Sequence, residues 1–125
     1  MTSFKMLLLV GVGGFFGAIL RAVITQICFK ILPYTLPFGT LFVNVMGGFL
    51  IGVFMTLSDK FVINSELRSL LVTGFLGALT TFSTFAYENI LLLQSGNFTS
   101  FGLNVILNVS LSVLACYAGV LIANL

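Results

Sequence analysis

Four long apolar runs, separated by short polar punctuation, take up nearly all of the 125 residues. They extend from about Phe4 to Ile31, Pro37 to Leu57, Leu67 to Leu93 and Phe101 to Ala123. Each is long enough for a helix to cross the hydrocarbon layer of a bilayer, which takes roughly 20 apolar residues. Only 6% of the residues are charged, against about 25% in a soluble domain, too few to cover a water-facing surface. The sequence therefore predicts an all-α integral membrane protein, multi-pass in the cell (inner) membrane. Its four helices form a single transmembrane domain over residues 1–125. Lys5 and the apolar run behind it look like the start of a signal peptide. However, no small-residue cleavage site follows, and the run continues too far.

The same composition removes several functions. There is no histidine, so histidine-based triads, zinc–histidine sites and imidazole acid–base chemistry are excluded. Five basic and three acidic residues leave a net charge of +2, too little for a nucleic-acid face. Cys28 and Cys116 lie in separate apolar runs and read as small buried residues rather than a disulfide or metal pair. The segment Gly11-Val12-Gly13-Gly14-Phe15-Phe16-Gly17 has the look of a nucleotide loop. It fails the required glycine pattern at Phe16 and follows no strand.

Short polar segments set the connections. Pro33 and Pro37 bound the first, and Pro37 suits the opening turn of a helix because its missing N–H costs nothing there. Ser58-Asp59-Lys60 and Asn64-Ser65-Glu66 bound the second, with Glu66 placed to complement a helix N-terminus. Gln94-Ser95-Gly96-Asn97 makes the third. Four spans put both chain ends on one side, together with Lys5, Lys60 and Arg68; Lys30 lies on the other side and Arg21 within the membrane. So weak a positive-inside bias predicts insertion in both orientations, with two opposed copies pairing as an antiparallel, dual-topology homodimer. The spacings Gly13-xxx-Gly17 and Gly48-xxx-Gly52 allow close helix contact, either within one chain or at a dimer seam.

Polar groups at membrane depth are costly, so each is a candidate for function. The densest set is Thr80-Thr81-Phe82-Ser83-Thr84-Phe85, beginning at the middle of the third run and preceded by Gly74 and Gly77. Two readings are open. The helix continues, its hydroxyls bonding back to carbonyls four residues earlier; or it breaks near mid-membrane, which requires that the freed backbone be buried in protein or serve an ion. Asn44 supplies an amide in the second span, and Asn104, Asn108 and Ser112 recur every fourth residue as one stripe of the fourth helix. Interhelical hydrogen bonding accounts for these groups as well as a solute path does. Neutral donors with little fixed charge nevertheless suit a small anion, replacing its water without trapping it. Phe82 and Phe85 interleave with the hydroxyls, and a ring edge carries partial positive charge. Arg21, about 22 Å along the first span from Met6 at 1.5 Å per residue, either snorkels to the far interface or draws anions into a vestibule. Glu88, about 8 Å from the end of its span, either pairs with a donor near the mouth or carries a proton.

Three segments in order give the chain a family likeness. They are Gly13-Gly14-Phe15-Phe16-Gly17-Ala18-Ile19-Leu20-Arg21, Pro37-Phe38-Gly39-Thr40-Leu41-Phe42-Val43-Asn44-Val45-Met46-Gly47 and Gly74-Phe75-Leu76-Gly77-Ala78-Leu79-Thr80-Thr81-Phe82-Ser83-Thr84-Phe85. The sequence resembles the Fluc/CrcB family of fluoride ion channels over essentially its whole length. The resemblance implies passive, fluoride-selective efflux that relieves fluoride toxicity, with membrane lipid as surroundings and no enzymatic step. It implies two pores in an antiparallel homodimer, each lined by both subunits. The backbone carbonyls of Gly77 and Thr80, at the break in the third helix, would hold a structural sodium ion at the dimer centre. Asn44 matches a pore-lining asparagine, and Phe82 and Phe85 match phenylalanines whose edges face fluoride. Ser83 and Thr84 fall on the same polar track, Arg21 matches an arginine near the pore mouth, and Glu88 a polar position beside the pore. One departure stands out: many relatives carry a tyrosine and then small hydroxyl residues along the fourth helix, where this chain has Asn104, Asn108 and Ser112.

Two rivals share the four-span pattern. A proton-coupled exporter of the small multidrug type needs a mid-membrane carboxylate, usually in its first helix. Here the first helix has none and Glu88 is off-centre. A non-transporting membrane subunit would pack against a partner and pass no ion.

Overall fold

The computed structural model describes residues 3–125, so the first two residues of the expected domain lie outside the described residues. Its elements, all helical, are α1 (Phe4–Ile31), α2 (Phe38–Phe61), α3 (Ser65–Arg68), a π-helical stretch (Ser69–Leu76), α4 (Gly77–Leu79), α5 (Ser83–Gln94) and α6 (Phe98–Ala123). Four spans long and apolar enough to cross a membrane result: Phe4–Ile31, Phe38–Phe61, Ser65–Gln94 and Phe98–Ala123.

Local chemistry sets the ends. Ser3 caps α1, its hydroxyl accepting the Met6 N–H at 3.2 Å, and Asn64 caps α3 by accepting the Leu67 N–H at 2.8 Å. Glu66 falls in the first turn, as expected, and forms an exposed ion pair at 3.1 Å with Lys5 at the start of α1. Pro37 is the cap before α2 rather than its first helical residue. That helix also runs past the expected end at Leu57, taking in Ser58, Asp59 and Lys60. Ser58 is buried, and the Lys60 ammonium donates to the Ala123 carbonyl at 2.9 Å, so both polar groups are accommodated without leaving the helix. Val62 then stops the helix at φ 50°, the left-handed region that a β-branched residue rarely enters. The last helix begins earlier than expected, at Phe98, with Asn97 as the capping residue.

Packing is organised by glycine. Helix α2 lies on α6, where a Cβ at Gly48 would come within 2.8 Å of the Ser112 carbonyl and one at Gly52 would strike the Cys116 carbonyl. Helix α1 lies on the π-helical stretch, where Gly13 and Gly17 meet the carbonyls of Leu70 and Phe75. Both glycine pairs therefore serve packing within one chain. Between the layers Val43, Leu76 and Leu79 form the buried core, with Leu20, Ile24, Met46 and Leu50 against it. Most other large apolar side chains point outward, the inversion expected where the surroundings are lipid.

The third span is the irregular one. Its wide π turns bring Gly74 against α1, where a Cβ would lie 2.5 Å from the Val10 carbonyl. Helix α4 ends at Leu79, and Thr80 is extended at φ −85° and ψ 158°. Helical structure resumes at Ser83. The helix is thus broken where the hydroxyl cluster begins. Its two pieces, residues 65–79 and 83–94, together rise about 40 Å at 1.5 Å per residue, enough to cross the hydrocarbon layer.

Candidate functional site

A break in mid-membrane strands backbone groups, and the surrounding side chains satisfy most of them. The Thr81 N–H donates to Asn44 Oδ1 at 2.8 Å, and Asn44 Nδ2 donates back to the Thr81 carbonyl at 3.1 Å. One side chain of α2 thus replaces both helical partners of Thr81. The Thr80 N–H and hydroxyl both donate to the Leu76 carbonyl, at 3.2 and 3.0 Å. Back-bonding to a carbonyl four residues earlier therefore occurs at Thr80 but does not carry the helix through. The Thr81 hydroxyl accepts the Thr84 N–H, in the first turn of α5, at 3.2 Å. The Arg21 Nε donates to the Ala78 carbonyl at 3.0 Å. After these assignments no backbone N–H among the described residues reaches the carbonyls of Gly77 and Thr80.

The expected asparagine stripe becomes a ladder of amides joining three spans. Asn44 Nδ2 donates to Asn108 Oδ1 at 3.0 Å. Asn108 Nδ2 donates to Asn104 Oδ1 at 2.9 Å and to the Asn104 carbonyl at 3.0 Å. Asn104 Nδ2 donates to Asn89 Oδ1 at 2.8 Å. The amides run one way: Asn44, Asn108 and Asn104 each accept on oxygen and donate on nitrogen, and Asn89 ends the series as an acceptor. Asn104, Asn108 and Asn89 are buried. Interhelical bonding thus claims Asn44, Asn104 and Asn108, while Ser112, the last member of the stripe, keeps a buried hydroxyl oxygen with no partner. Asn89 escaped the sequence reading. Its available signal was that it lies four residues beyond Phe85, on the same face of α5.

Two clefts flank the gap, and Thr81 lines both. The first, about 350 Å³, is walled by Arg21, Thr40, Thr84 and Glu88 among others. Glu88 Oε1 is buried there without a hydrogen-bond partner. The second, about 370 Å³, is walled by Asn44, Gly77, Thr80, Phe82, Phe85 and Ser112 among others. The two phenylalanine rings lie 5.6 Å apart, tilted by 53°, but differ in exposure. Phe85 is 8% exposed and Phe82 78%. Ser83, the first residue of α5, is exposed beside them. The clefts thus offer neutral hydroxyls, two phenyl rings, one guanidinium and one carboxylate, and Gly77 and Thr80, whose carbonyls lack backbone donors, line the second. Among the described residues no cluster of three or more His, Cys, Asp or Glu could hold a metal.

These features define a class: a multi-pass membrane protein with an interrupted span and polar clefts at mid-depth. Within it the chain belongs to the CrcB family, described as CrcB-like protein, Camphor Resistance (CrcB), whose profile matches residues 8–120. It is similar to the fluoride-specific ion channel FluC of Campylobacter jejuni subsp. jejuni serotype O:23/36 (strain 81-176), at 53% identity over 116 residues, covering 93% of this chain and 95% of the relative. The protein of that name from Campylobacter fetus subsp. fetus (strain 82-40) is 53% identical over 94% of this chain and 92% of its own length. That from Photobacterium profundum is 44% identical over 95% and 94%.

Proposed function

We propose that this chain is a fluoride-selective ion channel of the cell membrane, letting fluoride leave passively and so relieving its toxicity. The observation that carries the reading is the interrupted third span with its two polar clefts, in a chain that matches fluoride-specific channels over more than nine-tenths of its length. Hydrogen fluoride is a neutral weak acid that crosses membranes and ionises inside, trapping the anion. A conduit then lets the anion leave down the electrical gradient. No bond is made or broken.

Moving an anion from water into a low-dielectric medium costs tens of kcal/mol on the Born estimate, so a conduit must rebuild a hydration shell from fixed groups. Several side chains fit that task. Arg21 attracts anions to the first cleft, and Glu88 beside it tunes the local field. The free Ser112 hydroxyl, the hydroxyls of Ser83 and Thr84 and the edges of Phe82 and Phe85 supply short-range contacts. Asn44, Asn104 and Asn108 enter differently. Asn44 and Asn108 each use Nδ2 twice within the chain, and Asn104 uses its own on Asn89. Their first effect is to hold the gap open, and Asn44 or Asn108 meets an anion only by releasing one of those bonds.

Two copies in antiparallel arrangement would form two such paths, each lined by both chains. The weak charge asymmetry of the sequence and the outward-facing apolar surface support that assembly. A structural sodium ion fits the donor set, because the Gly77 and Thr80 carbonyls are hard oxygen ligands without helical donors. Two from each copy would hold it, and its charge would attract the anion at long range. Purified protein in liposomes tests the function. Fluoride efflux should far exceed chloride efflux and proceed without an imposed pH gradient. Equal rates, or dependence on that gradient, would contradict the reading, and the absence of any flux would favour a non-transporting subunit.

A further inference from the structure

The amide ladder ends at a residue to which the channel reading gives no role. Asn89 is 7% exposed, and its Oδ1 takes the Asn104 donor at 2.8 Å. That bond sets which way Asn104 faces, presenting the Asn104 oxygen to Asn108 Nδ2. Asn108 is then held with its own oxygen toward Asn44, and Asn44 with its oxygen toward the Thr81 N–H. Reversing any one amide would set N–H against N–H or oxygen against oxygen. In a low-dielectric interior the links polarise one another, and a break in the chain is costly. The acceptor at position 89 therefore biases every amide between it and the gap.

We infer that Asn89 is a positioning residue for the conduction site: as terminal acceptor of the ladder, it fixes the orientation in which Asn44 clamps both backbone groups of Thr81. Asn104 is the relay, taking the Asn108 donor on its oxygen and passing its own N–H to Asn89. The inference rests on the channel reading for its consequence in transport, but the ladder itself has a readout independent of flux.

The test combines side-chain amide NMR of asparagine-labelled protein with fluoride efflux from liposomes. Asn89→Leu removes the acceptor, whereas Asn89→Asp keeps an oxygen facing Asn104. Asn104→Leu cuts the relay at a second point and guards against a defect peculiar to position 89. Both leucine variants should shift the Asn44 side-chain amide resonances and slow fluoride efflux roughly tenfold, about the factor one neutral hydrogen bond is worth. Asn89→Asp should restore both. If the leucine variants slow efflux while the Asn44 resonances stay in place, the positioning role is overturned and the channel reading stands. Shifted Asn44 resonances in a protein whose wild type passes no fluoride would uphold the ladder and overturn its role in transport. Wild-type resonances and efflux in both leucine variants would overturn the inference outright.

Discussion

Replacing Asn44 with leucine keeps the volume of the side chain and removes its hydrogen bonds. Three groups then lose a partner: the Thr81 N–H at 2.8 Å, the Thr81 carbonyl at 3.1 Å and Asn108 Oδ1 at 3.0 Å. A polar group left unpaired in the interior costs about 1–3 kcal/mol, which brackets the loss at roughly 3–9 kcal/mol. Asn44 is half-buried and the gap can relax, so the lower end, about 3–4 kcal/mol, is the expected value. That corresponds to a melting temperature lower by about 10 °C. Fluoride efflux should fall at least roughly tenfold, because 1.4 kcal/mol of misplacement already amounts to that factor. Asn108→Ala is the control. It cuts the ladder next to Asn44 but leaves the Thr81 groups a side chain to bond, so it should cost less in stability and slow flux only by the roughly tenfold factor expected when the ladder is cut at Asn89 or Asn104. Thermal unfolding in detergent and liposome efflux read the two quantities. An Asn44→Leu protein with wild-type melting and efflux, or one milder than Asn108→Ala, would refute the clamp.

Three other perturbations probe separate parts of the structure. Phe82→Ile should slow fluoride efflux with little change in melting, since the ring is largely exposed. Phe85→Ile should slow efflux and also lower stability by about 1 kcal/mol; unchanged efflux in both would remove the rings from the path. Gly74→Ala places a methyl group 2.5 Å from the Val10 carbonyl, and overpacking of that kind costs about 1–3 kcal/mol, read as a lower melting temperature. Glu66→Gln breaks only the exposed pair with Lys5, and melting should move by less than about 1 kcal/mol equivalent. A large loss would show that this contact organises the membrane domain.

Hydrophobic length alone made the four spans legible, because each helix must bridge the same thickness. The hydroxyl residues behind two glycines leave a continuous and a broken third helix both open, and the family resemblance is what implied the break that the structure has. Other features depend on tertiary fit. The π turns at Ser69–Leu76 have no local signature; they bring Gly74 to Gly13 across two spans. Ser58, Asp59 and Lys60 read as a loop because the Ala123 carbonyl that receives the lysine lies at the far end of the chain. Arg21 reaches Ala78, and Asn104 reaches Asn89 across the α5–α6 turn. Neither partner can be named from spacing along one helix. Asn89 was overlooked for a related reason: it stands next to Glu88, whose charge is the more conspicuous feature of α5. For Asn44 the sequence leaves interhelical bonding and a solute path both open, and only its partners reveal that it serves Thr81.

Conduction as proposed requires backbone oxygens freed from helical bonding in the middle of the third span. Isotope-edited infrared spectroscopy reads them one at a time, with heavy-isotope carbonyls placed at Gly77, at Thr80 and, as reference, at Leu91, which accepts the Ser95 N–H at 3.0 Å. In bilayers containing sodium, the Gly77 and Thr80 bands should stand apart from the Leu91 band, and both should move when sodium is replaced by a bulky organic cation. Bands that coincide with Leu91 and ignore the exchange would mean an ordinary helix at this depth, and the gap would have no part in conduction.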